Sequence, residues 1–159
     1  MKITLITAGK VRERFYRDAI DEYLKRLSRY AKVEIIEVKD EKTPETLSEK
    51  EQDLIKDIEG ERILARLSRD SYTYALAIEG KQHDSVGFSN ELDSLMTRGN
   101  DRFTFIIGGS LGLSDKVLRA SDELLSFSKM TFPHQLMRVI LLEQIYRAMR
   151  IMHNEPYHK

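Results

Sequence analysis

Three stretches of this 159-residue chain combine residue types and spacings able to do chemistry. In Phe103-Thr104-Phe105-Ile106-Ile107-Gly108-Gly109-Ser110-Leu111-Gly112-Leu113, an apolar strand runs directly into three glycines within five residues. Glycine there lets the backbone turn sharply and approach a ligand closely, and ligands of open α/β sheets sit beyond the carboxyl ends of strands. An ordinary glycine-rich turn would have the same composition. The second stretch, Leu125-Ser126-Phe127-Ser128-Lys129-Met130-Thr131-Phe132-Pro133-His134-Gln135, alternates hydroxyls with apolar walls. Its proline leads into a helix whose free N–H groups favour an electron-rich partner. That mixture suits an amphiphilic ligand carrying an aromatic base and polar substituents, although a capped helix start above core aromatics reads the same way. The third is the tail, where Asn154 and Pro156 stop a helix and leave Tyr157, His158 and Lys159 as a ring, an imidazole and a cation. A frayed terminus is the usual alternative for such residues.

Better-known motifs are absent or incomplete. Gly108, Gly109 and Gly112 do not have the G-x-G-x-x-G spacing, and Gly9-Lys10 is followed by Val11, so no phosphate-binding loop forms there. Gly108-Gly109-Ser110-Leu111-Gly112 does match a G-x-S-x-G nucleophile elbow after a strand, with Asp115, Asp122 and His134 in hydrolase order. An elbow places its serine at the immediate start of a helix, whereas Leu113-Ser114-Asp115 predicts a helix capped later, at Ser114. His83, His134, His153 and His158 lack metal-ligand spacing and the chain has no cysteine, so no metal site is expected.

The elements that must position these stretches alternate. Apolar periodicity predicts strands over 2–8, 33–38, 72–79, 102–107 and 124–128. Helices are predicted over 12–30, from Thr43-Pro44 to Leu67 with Ser48-Glu49-Lys50-Glu51 inside it, and over 85–98, 114–121 and 134–153. The alternation implies an α/β fold: a mostly parallel sheet with helices on both faces, in a single domain over residues 1–159. The last helix is apolar around nearly its whole circumference and must be buried on more than one side, which predicts a homodimer.

No apolar run approaches the ~20 residues needed to span a bilayer, and the apolar start is too short for a signal peptide, so a cytoplasmic protein is expected. Net charge is zero, with 26 basic and 26 acidic residues, which argues against binding driven by bulk charge. The charge is unevenly spread: residues 1–32 carry nine Lys/Arg against four Asp/Glu, and residues 129–159 five against two. Either these are ordinary solvated helix faces, or the two basic ends meet to hold phosphate.

Taken together, the Ile107–Leu113 loop, the Ser126–Gln135 segment and Glu155-Pro156-Tyr157-His158-Lys159 resemble the RlmH family, and the likeness extends over the whole chain. Those enzymes are SPOUT methyltransferases, and the resemblance implies methylation of N3 of a pseudouridine in bacterial large-subunit ribosomal RNA, with S-adenosylmethionine as cofactor. It also implies a C-terminal trefoil knot, a homodimer, and a substrate met within the assembled ribosome. The family's cofactor contacts fall here on Leu76, Gly108, Phe127, Ser128, Lys129, Met130, Thr131 and Phe132. Arg147, Tyr157 and His158 correspond to the residues that handle the target nucleotide: His158 as general base, since histidine titrates near neutral pH (~6.5), Arg147 against developing negative charge, Tyr157 stacked on the base. The donated methyl is expected to face the dimer partner's tail. Where the family carries a Ser-Ser-Glu-like segment after Gly-Lys, this chain has His83-Asp84-Ser85-Val86. Asp84 either replaces the missing charge or caps the next helix. A serine hydrolase using Ser110 and a non-catalytic ribosome-binding module are the competing readings.

Overall fold

A computed structural model describes residues 1–159. Its strands are β1 (Lys2–Ala8), β2 (Lys32–Val38), β3 (Tyr72–Gln82), β4 (Arg102–Ile107) and β5 (Glu123–Ser126). They form one sheet in the order β2-β1-β4-β3-β5, and every adjacent pair is parallel. The helices are α1 (Arg14–Leu27), α2 (Glu49–Leu64), α3 (Ser85–Thr97), α4 (Asp115–Ala120) and α5 (His134–Met152).

Side-chain alternation divides the sheet into two packed faces. Ile3, Leu5, Phe103, Phe105 and Tyr74 face Ile20 and Leu27 of α1, Phe88 and Leu92 of α3, and Leu141, Leu142 and Ile145 of α5. Ile6, Ala8 and Ile106 point the other way, onto Ile63 of α2 and Val117 of α4. Burying each such aliphatic or aromatic side chain contributes about 1.5–3 kcal/mol. No helix is long and apolar enough to cross a membrane.

Two boundaries differ from the sequence reading for identifiable reasons. The second helix begins at Glu49, not at Thr43-Pro44, because Ser48 and Glu51 form the helix start: the Ser48 side chain accepts from the Glu51 N–H while the Glu51 carboxylate accepts from the Ser48 N–H. The third strand passes through Gly80 to Gln82, since Leu125 of β5 pairs first with Leu76 and again with Lys81. The chain between those pairings doubles against β5, and Gly80 lies on its backbone. A Cβ at Gly80 would stand 2.6 Å from both the carbonyl carbon and oxygen of Leu124. Because backbone cannot yield as a flexible side chain does, Gly80→Ala is expected to destabilise the fold by about 1–3 kcal/mol, read as a thermal midpoint several degrees lower. An unchanged midpoint would show that the β3–β5 contact is looser than described.

The last helix carries one residue that an apolar reading overlooks. Arg138 is 1% exposed, donating to Glu37 Oε2 and to the Gly9 carbonyl, each at 2.7 Å. It ties the start of α5 to the carboxyl ends of β1 and β2, beside the loops that follow β4 and β5.

Candidate active site

The glycine loop folds back on itself. Gly112 donates its N–H to the Gly109 carbonyl (3.0 Å) and adopts a φ of 86°, in the left-handed region that favours glycine. A Cβ on Gly108 would lie 2.7 Å from the Gly112 carbonyl carbon, so the turn closes only without one. The aromatic and hydroxyl loop is held just as locally: Ser126 Oγ donates to the Ile78 carbonyl (2.8 Å), and Ser128 Oγ accepts from the Met130 N–H (3.0 Å). With Leu76–Glu79 from within β3, the two loops frame a cavity of about 810 Å³ beyond the carboxyl ends of β4 and β5.

Seven of the eight expected cofactor contacts line this cavity: Leu76, Gly108, Phe127, Ser128, Met130, Thr131 and Phe132. Lys129 does not, and its side chain is exposed on the loop. The sequence did not single out Ile78, Leu118 and Met137, which add apolar wall, nor Glu79 and Lys56 on the polar rim. His134 also lines the cavity; burial, reinforced by Arg138, lowers its pKa and favours the neutral ring. Carboxylates, hydroxyls and exposed loop backbone beside an apolar slot fit a nucleoside bearing a positive centre.

Ser110, Asp115 and His134 of the hydrolase constellation all line this cavity, but no hydrogen bond joins them. Ser110 Oγ lies 3.0 Å from Thr43 Oγ1, and Asp122 accepts from the Thr73 N–H (2.7 Å). Ser114 caps α4, as its position implied, so Ser110 precedes the helix rather than opening it.

The matching family decides the chain's place. Residues 1–158 match the family described as "Predicted SPOUT methyltransferase". The chain belongs to the SPOUT methyltransferase family. Among its relatives, the Exiguobacterium sp. protein named "Ribosomal RNA large subunit methyltransferase H" is 59% identical over 159 residues, covering 100% of both chains. The Bacillus cytotoxicus protein of that name is 58% identical over the same full lengths. A Legionella pneumophila methyltransferase, solved "in complex with the bound cofactor SAM", shares the fold at a TM-score of 0.51 and 14% identity, over 94% of this chain and 66% of that one.

Like the rest of this SPOUT chain, the tail is ordered by specific contacts. Asn154 turns it with a φ of 54°, and Glu155 accepts from Tyr30 Oη (2.8 Å) and from Arg150 (2.9 Å) and pairs with Arg29 (3.2 Å). The Tyr30 bond, with those arginines, lowers the Glu155 pKa. The two basic ends of the chain therefore do meet, α1 against α5, although Glu155 and Glu22 offset part of their charge.

Arg147, Tyr157 and His158 come together around Glu143, which the sequence reading missed although Glu143 and Arg147 form a readable i,i+4 helix pair. Glu143 Oε1 accepts from Arg147 Nη2 (2.6 Å), Arg147 Nε (3.1 Å) and Tyr157 Oη (3.0 Å). Burial, together with Glu143, pushes the Tyr157 pKa up to about 12, keeping its hydroxyl a donor. The Arg147 guanidinium lies 4.7 Å from the Tyr157 ring centroid. Arg147 Nη1 is 3.2 Å from His158 Nδ1, and arginine has no acceptor, so Nδ1 accepts and the neutral ring carries its proton on Nε2.

His158 lines a second cavity of about 440 Å³, which shares Leu125 and Phe127 with the first. His83 lines it too, its Nε2 lying 3.1 Å from Glu123 and 3.4 Å from Glu91, an unforeseen group completed by Lys81 at 3.6 Å from Glu91 and by the Tyr74 hydroxyl. Asp84 is the cap of α3, accepting from the Gly87 N–H (2.6 Å), rather than a replacement charge at Val86.

Proposed function

We propose that this protein transfers a methyl group from S-adenosylmethionine to N3 of a pseudouridine in large-subunit ribosomal RNA. One observation carries the reading: two cavities share the Leu125–Phe127 wall, one framed by the glycine and hydroxyl loops, the other opening on His158. The full-length relatives named as large-subunit ribosomal RNA methyltransferases support ribosomal RNA as substrate. The first cavity receives the cofactor and the second the acceptor base. S-adenosylmethionine supplies an electrophilic methyl group when bound. Gly108 and Gly112 let backbone approach the nucleoside, and Phe127, Phe132 and Leu76 give it an apolar seat. Transfer needs N3 in line with the donated methyl at near-attack distance, so the two cavities must open onto each other past Leu125 and Phe127; positioning there removes a large part of the barrier.

N3 carries a proton that must leave, and the tail determines how. The N3 proton passes to solvent water; with Nδ1 engaged by Arg147, His158 offers Nε2–H to a ring oxygen and stabilises the anion left behind, and it takes the proton itself only if Arg147 releases Nδ1. Tyr157, under the guanidinium and bonded to Glu143, braces Arg147 rather than stacking on the base. His158 lines the second cavity of its own chain, and the approach of the donated methyl to the dimer partner's tail is part of this proposal. A single domain over residues 1–159, a C-terminal trefoil knot, and a homodimer packed through the half-buried Leu136 and Met152 of α5 belong to the same reading. So does a cytoplasmic location, where ribosomes are met.

The test is methyl transfer from labelled cofactor to assembled large subunits and to naked ribosomal RNA, with the product nucleoside identified by mass spectrometry. We expect 3-methylpseudouridine on the assembled particle and poor transfer to naked RNA, because a chain of zero net charge depends on shape more than on phosphate attraction. Ser110→Ala should keep most of that activity. Its loss would return the serine to a catalytic role, and absence of methylated product would defeat the proposal.

A further inference from the structure

In the second cavity most polar side chains are already committed: Asp84 caps α3, and Ser126 donates to the Ile78 carbonyl. Gln144 differs. Its Nε2 donates to Glu143 Oε2 (2.9 Å) and its Oε1 accepts from Ser85 Oγ (2.8 Å). A carboxylate only accepts, so the amide can face only one way, with NH₂ toward Glu143 and C=O toward Ser85. Each end keeps one unused valence, a second N–H and a second lone pair. Such a paired donor and acceptor complements a base edge on which N–H stands beside C=O, the bidentate way in which glutamine reads bases.

Uridine and pseudouridine differ at that edge. In uridine N1 is bonded to the ribose. In pseudouridine the ribose is on C5, so N1–H is free beside C2=O, and this edge adjoins N3. We propose that Gln144, fixed by Ser85 and Glu143, selects pseudouridine over uridine by accepting N1–H at Oε1 and donating from Nε2 to the C2 carbonyl oxygen. The proposal rests on the function proposed above and adds to it the residue that recognises the acceptor. Because Glu143 also holds Arg147 and Tyr157, the recognising amide and the tail that meets the pyrimidine anion are positioned by one carboxylate. A site built to bond a substrate N–H discriminates strongly against the analogue lacking it, since its own polar groups are then left unpaired.

The experiment compares kcat/KM of the full-length protein on large subunits carrying pseudouridine or uridine at the acceptor position, for the wild type, Gln144→Met and Ser85→Ala. The wild type should favour pseudouridine by at least 5- to 150-fold, the range of one bidentate base contact. Gln144→Met should bring the ratio toward one with cofactor affinity, measured by calorimetry, unchanged. Ser85→Ala, which loosens the amide without removing it, should lower the ratio less. Should Gln144→Met fail to fold, the wild-type ratio and Ser85→Ala still decide. Wild type methylating both substrates equally, or Gln144→Met keeping the full preference, overturns the assignment while leaving the methyltransferase reading intact. Wild type transferring to neither substrate overturns both.

Discussion

Deleting Tyr157, His158 and Lys159 should lower methyl transfer by about 10²–10⁴-fold, the usual contribution of a positioned proton-handling group, while changing cofactor affinity little. The separation follows from geometry. His158 lines the second cavity, proposed for the acceptor, and none of the three residues lines the first, proposed for the cofactor. The tail is docked through Glu155 on Tyr30, Arg29 and Arg150, all outside the deleted segment, so the body of the fold keeps its anchors. Point variants then separate the two roles open to His158. The amide nitrogen of glutamine reproduces a donor near the position of imidazole Nε2–H but cannot act as a base. If His158 stabilises the anion as a donor, His158→Gln should retain at least tenfold more activity than His158→Ala. Equal loss in both would make proton removal its role and require Arg147 to release Nδ1 during turnover. Unchanged activity of the truncated protein would mean that the tail has no chemical part.

Gly108→Ala should cost cofactor affinity rather than the chemical step. The added Cβ would meet the backbone of Gly112 at 2.7 Å and the Leu113 side chain at 3.1 Å, and the loop can respond only by opening. An opened loop moves the Gly108–Leu113 wall of the cavity, and misplacement of about 1 Å can cost 10²-fold. A rise of ten- to a hundredfold in the cofactor dissociation constant is expected, with the thermal midpoint falling far less than for Gly80→Ala. The two glycines thereby separate a ligand role from a folding role: Gly80 abuts the backbone of a neighbouring strand, Gly108 the far side of its own turn. Equal affinity in Gly108→Ala and wild type would detach the glycine loop from the cofactor.

Local chemistry made much of this architecture legible. The fourth strand kept its predicted limits because its apolar run is bounded by polar residues before it and glycines after it. The same contiguity made the lining of the first cavity legible, since each of its two loops is one unbroken segment. The start of α2 was misplaced because proline at a helix start competed with the Ser48–Glu51 pair, and two side-chain bonds outweighed one favourable φ. Pairings across long separations left no local trace. Ser85 meets Gln144 over 59 positions and Tyr30 meets Glu155 over 125, and no periodicity announces either. Arg138 was hidden differently: within an apolar helix it looked like one more basic residue near the carboxyl end, and only the fold brings Glu37 and Gly9 to it. The second cavity was illegible for the first reason, being assembled from four separate segments: 83–88, 125–127, 140–144 and His158.

Calorimetric titration of the full-length protein with S-adenosylmethionine tests most directly the assignment of the glycine-loop cavity to the cofactor. Saturable binding, one ligand per chain, preserved in the tail truncation and weakened at least tenfold in Gly108→Ala, is the predicted result. Absence of binding heat at millimolar ligand, or binding indifferent to Gly108, would contradict it.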